Sequence, residues 1–142
     1  MNFLNLTSAT PARRVLVVDD EDNIRLLARR ALEKEGYHVT EAANGIQALT
    51  HLDADTPFDL LLTDINMPGV KGDEVARRFR QARPDLKILY LSGYVDSLFA
   101  SRPILWEDEA FLDKPFTIKG LLEAVALLTY GRLTVDSARP AL

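Results

Sequence analysis

The sequence contains no cysteine, and this absence excludes several classes of protein at once. There can be no disulfide framework, no cysteine nucleophile, no iron–sulfur cluster and none of the usual zinc modules. Histidine occurs only twice, which is too few for a histidine-rich metal cage. The chemistry of the chain therefore has to come from other side chains.

Long apolar runs and an excess of positive charge are also missing. The most apolar helical run, Leu121–Leu128, is far shorter than the roughly 20 residues that a membrane span needs. The segment Met1–Arg14 lacks the apolar stretch of about 7–15 residues that is typical of a signal peptide. The net charge of -4 is a poor match for a nucleic-acid backbone. We therefore expect a cytoplasmic protein that binds neither membranes nor nucleic acids.

Length and composition predict one globular domain. The chain has 142 residues, of which 47% are hydrophobic and 27% are charged. Domains commonly contain about 100–150 residues, and this composition is not that of a disordered chain. The flanks are rich in polar or small residues, so we divide the chain into an N-terminal tail (1–12), one domain (13–129) and a C-terminal tail (130–142).

Short apolar runs alternate with amphipathic stretches along the domain. The expected strands are Val15–Val18, Tyr37–Ala42, Leu60–Thr63, Ile88–Leu91 and Ala110–Leu112. This alternation predicts an α/β fold, a doubly wound five-stranded parallel sheet. The second strand is the most polar and is expected at an edge. We adopt the strand order 2-1-3-4-5 of flavodoxin-like (βα)5 proteins.

The helices are predicted from apolar residues at helical spacing. We expect Ile46 to face inward in the second helix and Ile118 to face inward in the last helix. The dipeptide Arg83-Pro84 is expected to close the third helix. Residues 95–107 are harder to assign, because Pro103 permits only a short helix there.

Polar side chains end four of the five strands. They are Asp19 and Asp20 after the first strand, Asp64 after the third, Ser92 after the fourth, and Asp113 and Lys114 after the fifth. Ligands of such sheets bind at the carboxyl ends of the strands, where the strand order reverses. We therefore expect three carboxylates to converge, with a hydroxyl group and an ammonium group nearby. Asp59 lies at the opposite end of the third strand, so we exclude it from the site.

Three neighbouring carboxylates raise one another's pKa, and a divalent cation offsets this repulsion. Mg²⁺ prefers oxygen ligands and is often shared with phosphate oxygens. A nearby lysine suits a phosphoryl group. The pattern thus favours a phosphoryl site in which one carboxylate is the nucleophile. Taken singly, each residue has another interpretation, as a helix cap, a turn residue or a surface residue.

Over residues 13–129 the chain resembles the receiver domains of two-component response regulators, and in particular the single-domain regulators of chemotaxis. Four motifs carry the resemblance: Val15 to Glu21, Asp64 to Gly69 followed by Gly72, Ser92-Gly93, and Lys114-Pro115-Phe116. The resemblance implies a phosphoprotein that accepts a phosphoryl group on Asp64 from a histidine kinase or a histidine phosphotransfer protein. It also implies a Mg²⁺ cofactor.

The resemblance further implies a role for each residue that matches a motif. Asp20, Asp64 and the backbone carbonyl of Asn66 would bind the metal, and Asp19 would act through a metal-bound water. Ser92 and Lys114 would each contact a phosphoryl oxygen. The Lys114–Pro115 peptide bond is a candidate for the cis form.

The resemblance also implies switch and lifetime residues. Ser92 and Phe111 would form the switch, although a tyrosine is also common at the second position, and Phe111 is equally a candidate core residue. Asn66 and Tyr94 lie at positions that set the lifetime of the acyl phosphate. A bulky Tyr94 is expected to shield the phosphoryl group from water.

Partners and rival functions stay open at this point. The downstream partner is unknown, and the apolar residues between 98 and 106 are either core or part of a partner or homodimer surface on the face formed by the fourth and fifth helices. One rival is a phosphorylation-independent scaffold. Another is a Mg²⁺-dependent aspartyl phosphohydrolase, which commonly needs an acid where this chain has Asn66. We expect a signalling switch that assists its own phosphorylation and dephosphorylation, not an enzyme, and no DNA-binding segment after residue 130.

Overall fold

The computed structural model describes residues 13–93 and 108–131. The strands in this part of the chain are β1 (Arg14–Val18), β2 (His38–Ala42), β3 (Leu60–Asp64), β4 (Lys87–Ser92) and β5 (Glu109–Asp113). The helices are α1 (Asp22–Lys34), α2 (Gly45–Asp53), α3 (Gly72–Ala82) and α4 (Ile118–Tyr130). Helix α4 corresponds to the last of the predicted helices. Both predicted tails, except for Tyr130 and Gly131, and the predictions for Tyr94 and residues 95–107 lie outside the described residues.

The five strands form one parallel sheet in the order β2-β1-β3-β4-β5, which confirms the predicted fold and the edge position of β2. In the register, Val18 lies between Ala42 and Thr63, and Ser92 pairs with Asp113. The carboxyl ends of the strands are therefore nearly level. Residues that follow β1, β3 and β5 meet at one edge of the sheet.

Successive residues of each strand point to opposite faces, so the sheet has a core layer on each side. One layer packs Leu16, Leu61 and Ile88 against α2 and α3. The other packs Val17 and Leu62, among others, against α1 and α4. Burial on both faces explains why β1 and β3 are almost continuously apolar in sequence.

Local signals set the ends of several helices. The side chain of Asn44 accepts a hydrogen bond from the backbone N–H of Gln47 at the start of α2, at 2.9 Å. Thr117 caps α4 in the same way. Helix α4 ends at Tyr130 and is capped by Gly131, whose φ of 75° is in the left-handed region that favours glycine. Helix α3 ends at Ala82, as expected from Arg83-Pro84. A membrane span would need a longer and more apolar helix than any in residues 13–93 and 108–131.

Two predictions of inward-facing residues are wrong. Ile46 is 66% exposed and Ile118 is 48% exposed. In α2 the buried positions are Gly45 and Ala48, which lie on one face of the helix. Ile46 follows Gly45 and is therefore turned away from that face by about 100°. Ile118 is the first residue of α4, and the buried face of that helix begins at Leu121.

Candidate functional site

The structure brings together the three predicted carboxylates. Asp19 directly follows β1, and Asp64 is the last residue of the adjacent strand β3. Asp19, Asp20 and Asp64 each offer one carboxylate oxygen, and these oxygens all lie within 4.8 Å of one another. Asp19 and Asp64 are buried, whereas Asp20 is exposed. The cluster is therefore open to solvent on the side of Asp20.

Hydrogen bonds fix the backbone after β1. The N–H of Asp19 donates to the carbonyl of Ala42 at 3.2 Å. The carbonyl of Asp19 accepts from Nη1 of Arg25 at 2.7 Å, and the Nε of Arg25 donates to Glu41 at 2.9 Å. The Oδ1 of Asp19 accepts from the backbone N–H of Glu21 at 2.9 Å. These contacts hold Asp19 in place before any ligand binds.

The loop after β3 depends on a glycine. Gly72 donates from its N–H to the carbonyl of Ile65 at 2.9 Å. A Cβ atom at position 72 would overlap the carbonyl oxygen of Asp64, so no other residue fits without movement of the loop. Asn66 is exposed, two residues after Asp64, and the buried side chains of Ile65 and Met67 flank it. The loop that presents Asp64 and Asn66 is thus anchored on both sides.

Lys114 lies among the acidic side chains. Its Nζ atom is 3.0 Å from Oδ2 of Asp19, 3.1 Å from Oε1 of Glu21 and 3.6 Å from Oδ2 of Asp64. The Lys114–Pro115 peptide bond is cis. The backbone N–H of Lys114 donates to the carbonyl of Ser92 at 2.6 Å, and Ser92 is buried. The hydroxyl residue and the ammonium group that we expected at this edge are therefore both there.

Burial and charge shift the pKa values of the site. Burial, reinforced by the neighbouring charge of Asp19, raises the pKa of Asp64 to about 6. Burial likewise raises the pKa of Asp19, although the backbone N–H of Glu21 and the ammonium group of Lys114 oppose the shift. Burial opposes the charge of Lys114, but its contacts with Asp19 and Glu21 outweigh this, and the pKa of Lys114 is raised overall. The carboxylates therefore lack full compensation from Lys114.

The donor set fits a hard divalent cation. The Oδ2 atom of Asp19 is buried, and the ammonium group of Lys114 lies 3.0 Å from it. The same ammonium group also faces Glu21 and Asp64. Buried carboxylates are costly unless their charge is balanced, and one ammonium group does not balance the three carboxylates of the cluster. Oxygen ligands from two strands, one of them exposed, suit Mg²⁺, which retains several waters.

Phe111 lies on the neighbouring strand β5. Its half-buried ring packs against the buried ring of Tyr90, with the ring centroids 5.5 Å apart. This packing agrees with the interpretation of Phe111 as part of the core in the unphosphorylated protein. Tyr94 falls outside the described residues.

Sequence reasoning missed two residues of the site, Glu21 and Arg25. Glu21 contacts Lys114, and Arg25 supports the backbone of Asp19. Glu21 belongs to the acidic run Asp19 to Asp22. The run is typical of a helix cap, and only Asp19 and Asp20 in it are predicted metal ligands, so neither interpretation gives Glu21 its contact with Lys114. The side chain of Glu21 does not cap α1. Arg25 gave no signal beyond its position one turn into the helix.

Comparisons with known proteins agree with this geometry. The family model of the response regulator receiver domain matches residues 15–126. The chain is 39% identical over 113 residues to the response regulator receiver protein CpdR of Brucella abortus, covering 80% of this chain and 93% of that protein. It is 32% identical over 114 residues to sporulation initiation phosphotransferase F of Bacillus subtilis, covering 79% of this chain and 90% of that protein. A match to the sensor kinase CckA of Brucella abortus, 36% identical over 120 residues, covers 84% of this chain but only 13% of the kinase.

Solved structures give the same result. A response regulator receiver protein from Sinorhizobium medicae superimposes with a TM-score of 0.77 and 33% identity, covering 85% of this chain and 97% of the other. The response regulator TrrA of Thermotoga maritima, solved in complex with Mg²⁺-BeF, superimposes with a TM-score of 0.71 and 40% identity, covering 82% of this chain and 98% of the other. The chain thus belongs to the response regulator receiver domains, the phosphoacceptor modules of two-component signalling.

Proposed function

We propose that Asp64 is the phosphoacceptor of this receiver domain and that it is phosphorylated in the presence of Mg²⁺. The observation that carries the proposal is the convergence of Asp19, Asp20 and Asp64 within 4.8 Å, with the ammonium group of Lys114 beside them. The donor would be a phosphohistidine on a histidine kinase or a phosphotransfer protein. Relatives named as a sensor kinase and as a phosphotransferase support this class of partner.

Asp64 is better placed as a nucleophile than Asp19. Asp19 is completely buried, and one of its oxygens already accepts a hydrogen bond from the backbone of Glu21. Asp64 retains slight exposure, and its Oδ2 lies 3.6 Å from Nζ of Lys114. With a pKa of about 6, Asp64 is mostly ionised at neutral pH, as a nucleophile must be.

Mg²⁺ would be held by Asp20, Asp64 and the backbone carbonyl of Asn66, with Asp19 acting through a bound water. When bound, the ion supplies positive charge that offsets the negative charge of the phosphoryl oxygens and of the acidic cluster. The carboxylate oxygens of Asp19, Asp20 and Asp64, which lie within 4.8 Å of one another, support this assignment.

The transfer itself exchanges one bond for another. An oxygen of Asp64 forms a bond to phosphorus while the P–N bond of the donor breaks, and the imidazole nitrogen keeps the bonding pair. Lys114 would pair with one phosphoryl oxygen, and the hydroxyl of Ser92 would hydrogen-bond another. Both groups come from strand ends at the same edge of the sheet, because Lys114 donates from its backbone to Ser92.

The added phosphoryl group would switch the surface beside β5. Phosphorylation adds about −1.5 to −2 charges at neutral pH. A movement of Ser92 toward the phosphoryl group would free space that Phe111 can enter, and the contact of Phe111 with Tyr90 would then be repacked. We assign the lifetime of the acyl phosphate to Asn66 and Tyr94. The output would be binding of a downstream protein or of a second copy of the chain.

The chain would act as a switch and not as an enzyme with turnover. A phosphohydrolase of this chemistry commonly uses an acid two residues after the nucleophile, where this chain has Asn66. A scaffold that needs no phosphorylation would not require the acidic cluster and its lysine.

Intact-mass measurement after incubation with Mg²⁺ and acetyl phosphate tests the proposal. The parent protein should gain the mass of one phosphoryl group, and Asp64→Asn should gain none. Asp59→Asn is the control, because Asp59 lies just before β3, at the other end of the strand from Asp64. This variant should gain one phosphoryl group, as the parent does. Failure of the parent to gain mass, or an equal gain by Asp64→Asn, would overturn the proposal that Asp64 is the phosphoacceptor. Rapid hydrolysis of many phosphomonoesters would favour the phosphohydrolase instead.

A further inference from the structure

Lys114 makes a contact that the proposed phosphoryl chemistry does not use. Its Nζ donates a hydrogen bond to Oε1 of Glu21 at 3.1 Å, whereas Oδ2 of Asp64 is 3.6 Å away. The side chain of Glu21 is 62% exposed and that of Lys114 only 14%. Glu21 therefore holds the lysine from the solvent side of the site.

The position of Glu21 is fixed by its backbone. Its N–H donates to Oδ1 of Asp19 at 2.9 Å, and its carbonyl accepts from the N–H of Arg25 at 3.0 Å. The residue precedes the first turn of α1, yet its side chain makes no capping hydrogen bond. The carboxylate is thus presented to Lys114 by an anchored backbone and is not engaged by the helix.

We infer that Glu21 is a positioning residue that restrains Lys114 and thereby disfavours the phosphorylated state of Asp64. This inference rests on the proposed function. A phosphoryl group on Asp64 would attract the lysine, and the hydrogen bond that holds the lysine to Glu21 would oppose this movement. Loss of a partly exposed ion pair of this kind corresponds to about a two- to fivefold change in an equilibrium constant.

The effect can be measured without a phosphodonor, because beryllofluoride is an analogue of the phosphoryl group. Its dissociation constant in the presence of Mg²⁺ is measured by calorimetry for the parent, Glu21→Gln, Glu21→Asp and Asp22→Asn. Glu21→Gln removes the charge and keeps the length of the side chain. Glu21→Asp keeps the charge but shortens the side chain by one methylene group, which moves its carboxylate away from Lys114. Asp22→Asn is the control for the loss of a negative charge near the site. Asp22 is the exposed acid next to Glu21, and its partner at 2.7 Å is Arg25 and not Lys114.

Glu21→Gln and Glu21→Asp should both bind beryllofluoride about two- to fivefold more tightly than the parent, and Asp22→Asn should not. A gain by Glu21→Gln alone, or an equal gain by Asp22→Asn, would show an effect of charge at a distance and overturn the inference. No gain by either variant of Glu21 would overturn it too. If the parent itself fails to bind beryllofluoride with Mg²⁺, the proposed function fails and not only the role of Glu21.

Discussion

Replacing Asp64 by asparagine should stabilise the folded protein at neutral pH, although it removes the proposed phosphoacceptor. The pKa of Asp64 is raised from 3.8 to about 6, because the folded protein buries this carboxylate beside Asp19. One pKa unit corresponds to about 1.4 kcal/mol, so ionised Asp64 destabilises the fold by up to about 3 kcal/mol. Asparagine has nearly the same shape and carries no charge. We expect the free energy of unfolding to rise by about 1–3 kcal/mol.

The gain should depend on pH in a defined direction. Because the pKa is higher in the folded protein than in the unfolded chain, the folded protein binds more protons between about pH 4 and pH 6. The parent therefore loses stability as the pH rises through this window. The advantage of Asp64→Asn should be complete above about pH 7 and absent below about pH 4.

Urea denaturation in the presence of EDTA, at a series of pH values, measures this effect. Asp59→Asn serves as the control: Asp59 lies just before β3, at the other end of the strand, and accepts a hydrogen bond from the backbone of Arg14 at 2.7 Å. That variant should gain no stability at neutral pH. A variant Asp64→Asn that is no more stable than the parent at about pH 7, or that keeps its full advantage at about pH 4, would contradict the raised pKa of Asp64.

Three further outcomes follow from the geometry. Gly72→Ala should lower the free energy of unfolding by about 1–3 kcal/mol in urea denaturation, because its Cβ atom would meet the carbonyl of Asp64. An unchanged urea midpoint would contradict the close approach of residue 72 to that carbonyl. Lys114→Gln should bind Mg²⁺ about tenfold more tightly by calorimetry, because a positive charge beside Asp64 is removed; equal or weaker binding would show that Lys114 does not oppose the cation. Ile46→Ser should change the free energy of unfolding by no more than about 0.5 kcal/mol, because Ile46 is exposed, whereas Phe79→Ala should lower it by about 3–5 kcal/mol, because Phe79 is buried. Similar losses for both variants would contradict the exposure of Ile46.

The fold could be predicted from the sequence because its main signals are local. Strands β1 and β3 are buried on both faces and are almost wholly apolar, and β2 at the edge is more polar. The sequence predicts less well which individual residues of a helix face the core. Ile46 and Ile118 are apolar residues in the first turn of their helices, and whether such residues are covered depends on how the helix docks.

The site was predictable only in part. The rule that ligands bind at the carboxyl ends of parallel strands predicted the meeting of Asp19, Asp20 and Asp64. The roles of Asn66, Tyr94 and Phe111 came from the family resemblance and stay predictions. The contact of Glu21 with Lys114 joins residues 93 positions apart, and it depends on side-chain reach that no periodicity encodes.

Reduction with borohydride can identify the phosphorylated residue itself. The reagent converts an acyl phosphate into an alcohol, so an aspartyl phosphate leaves homoserine in the chain. After incubation with acetyl phosphate and Mg²⁺, peptide mapping should find homoserine at position 64 and at no other aspartate. Homoserine at position 19 or 20, or unmodified Asp64 in protein that has gained the mass of a phosphoryl group, would contradict Asp64 as the phosphoacceptor.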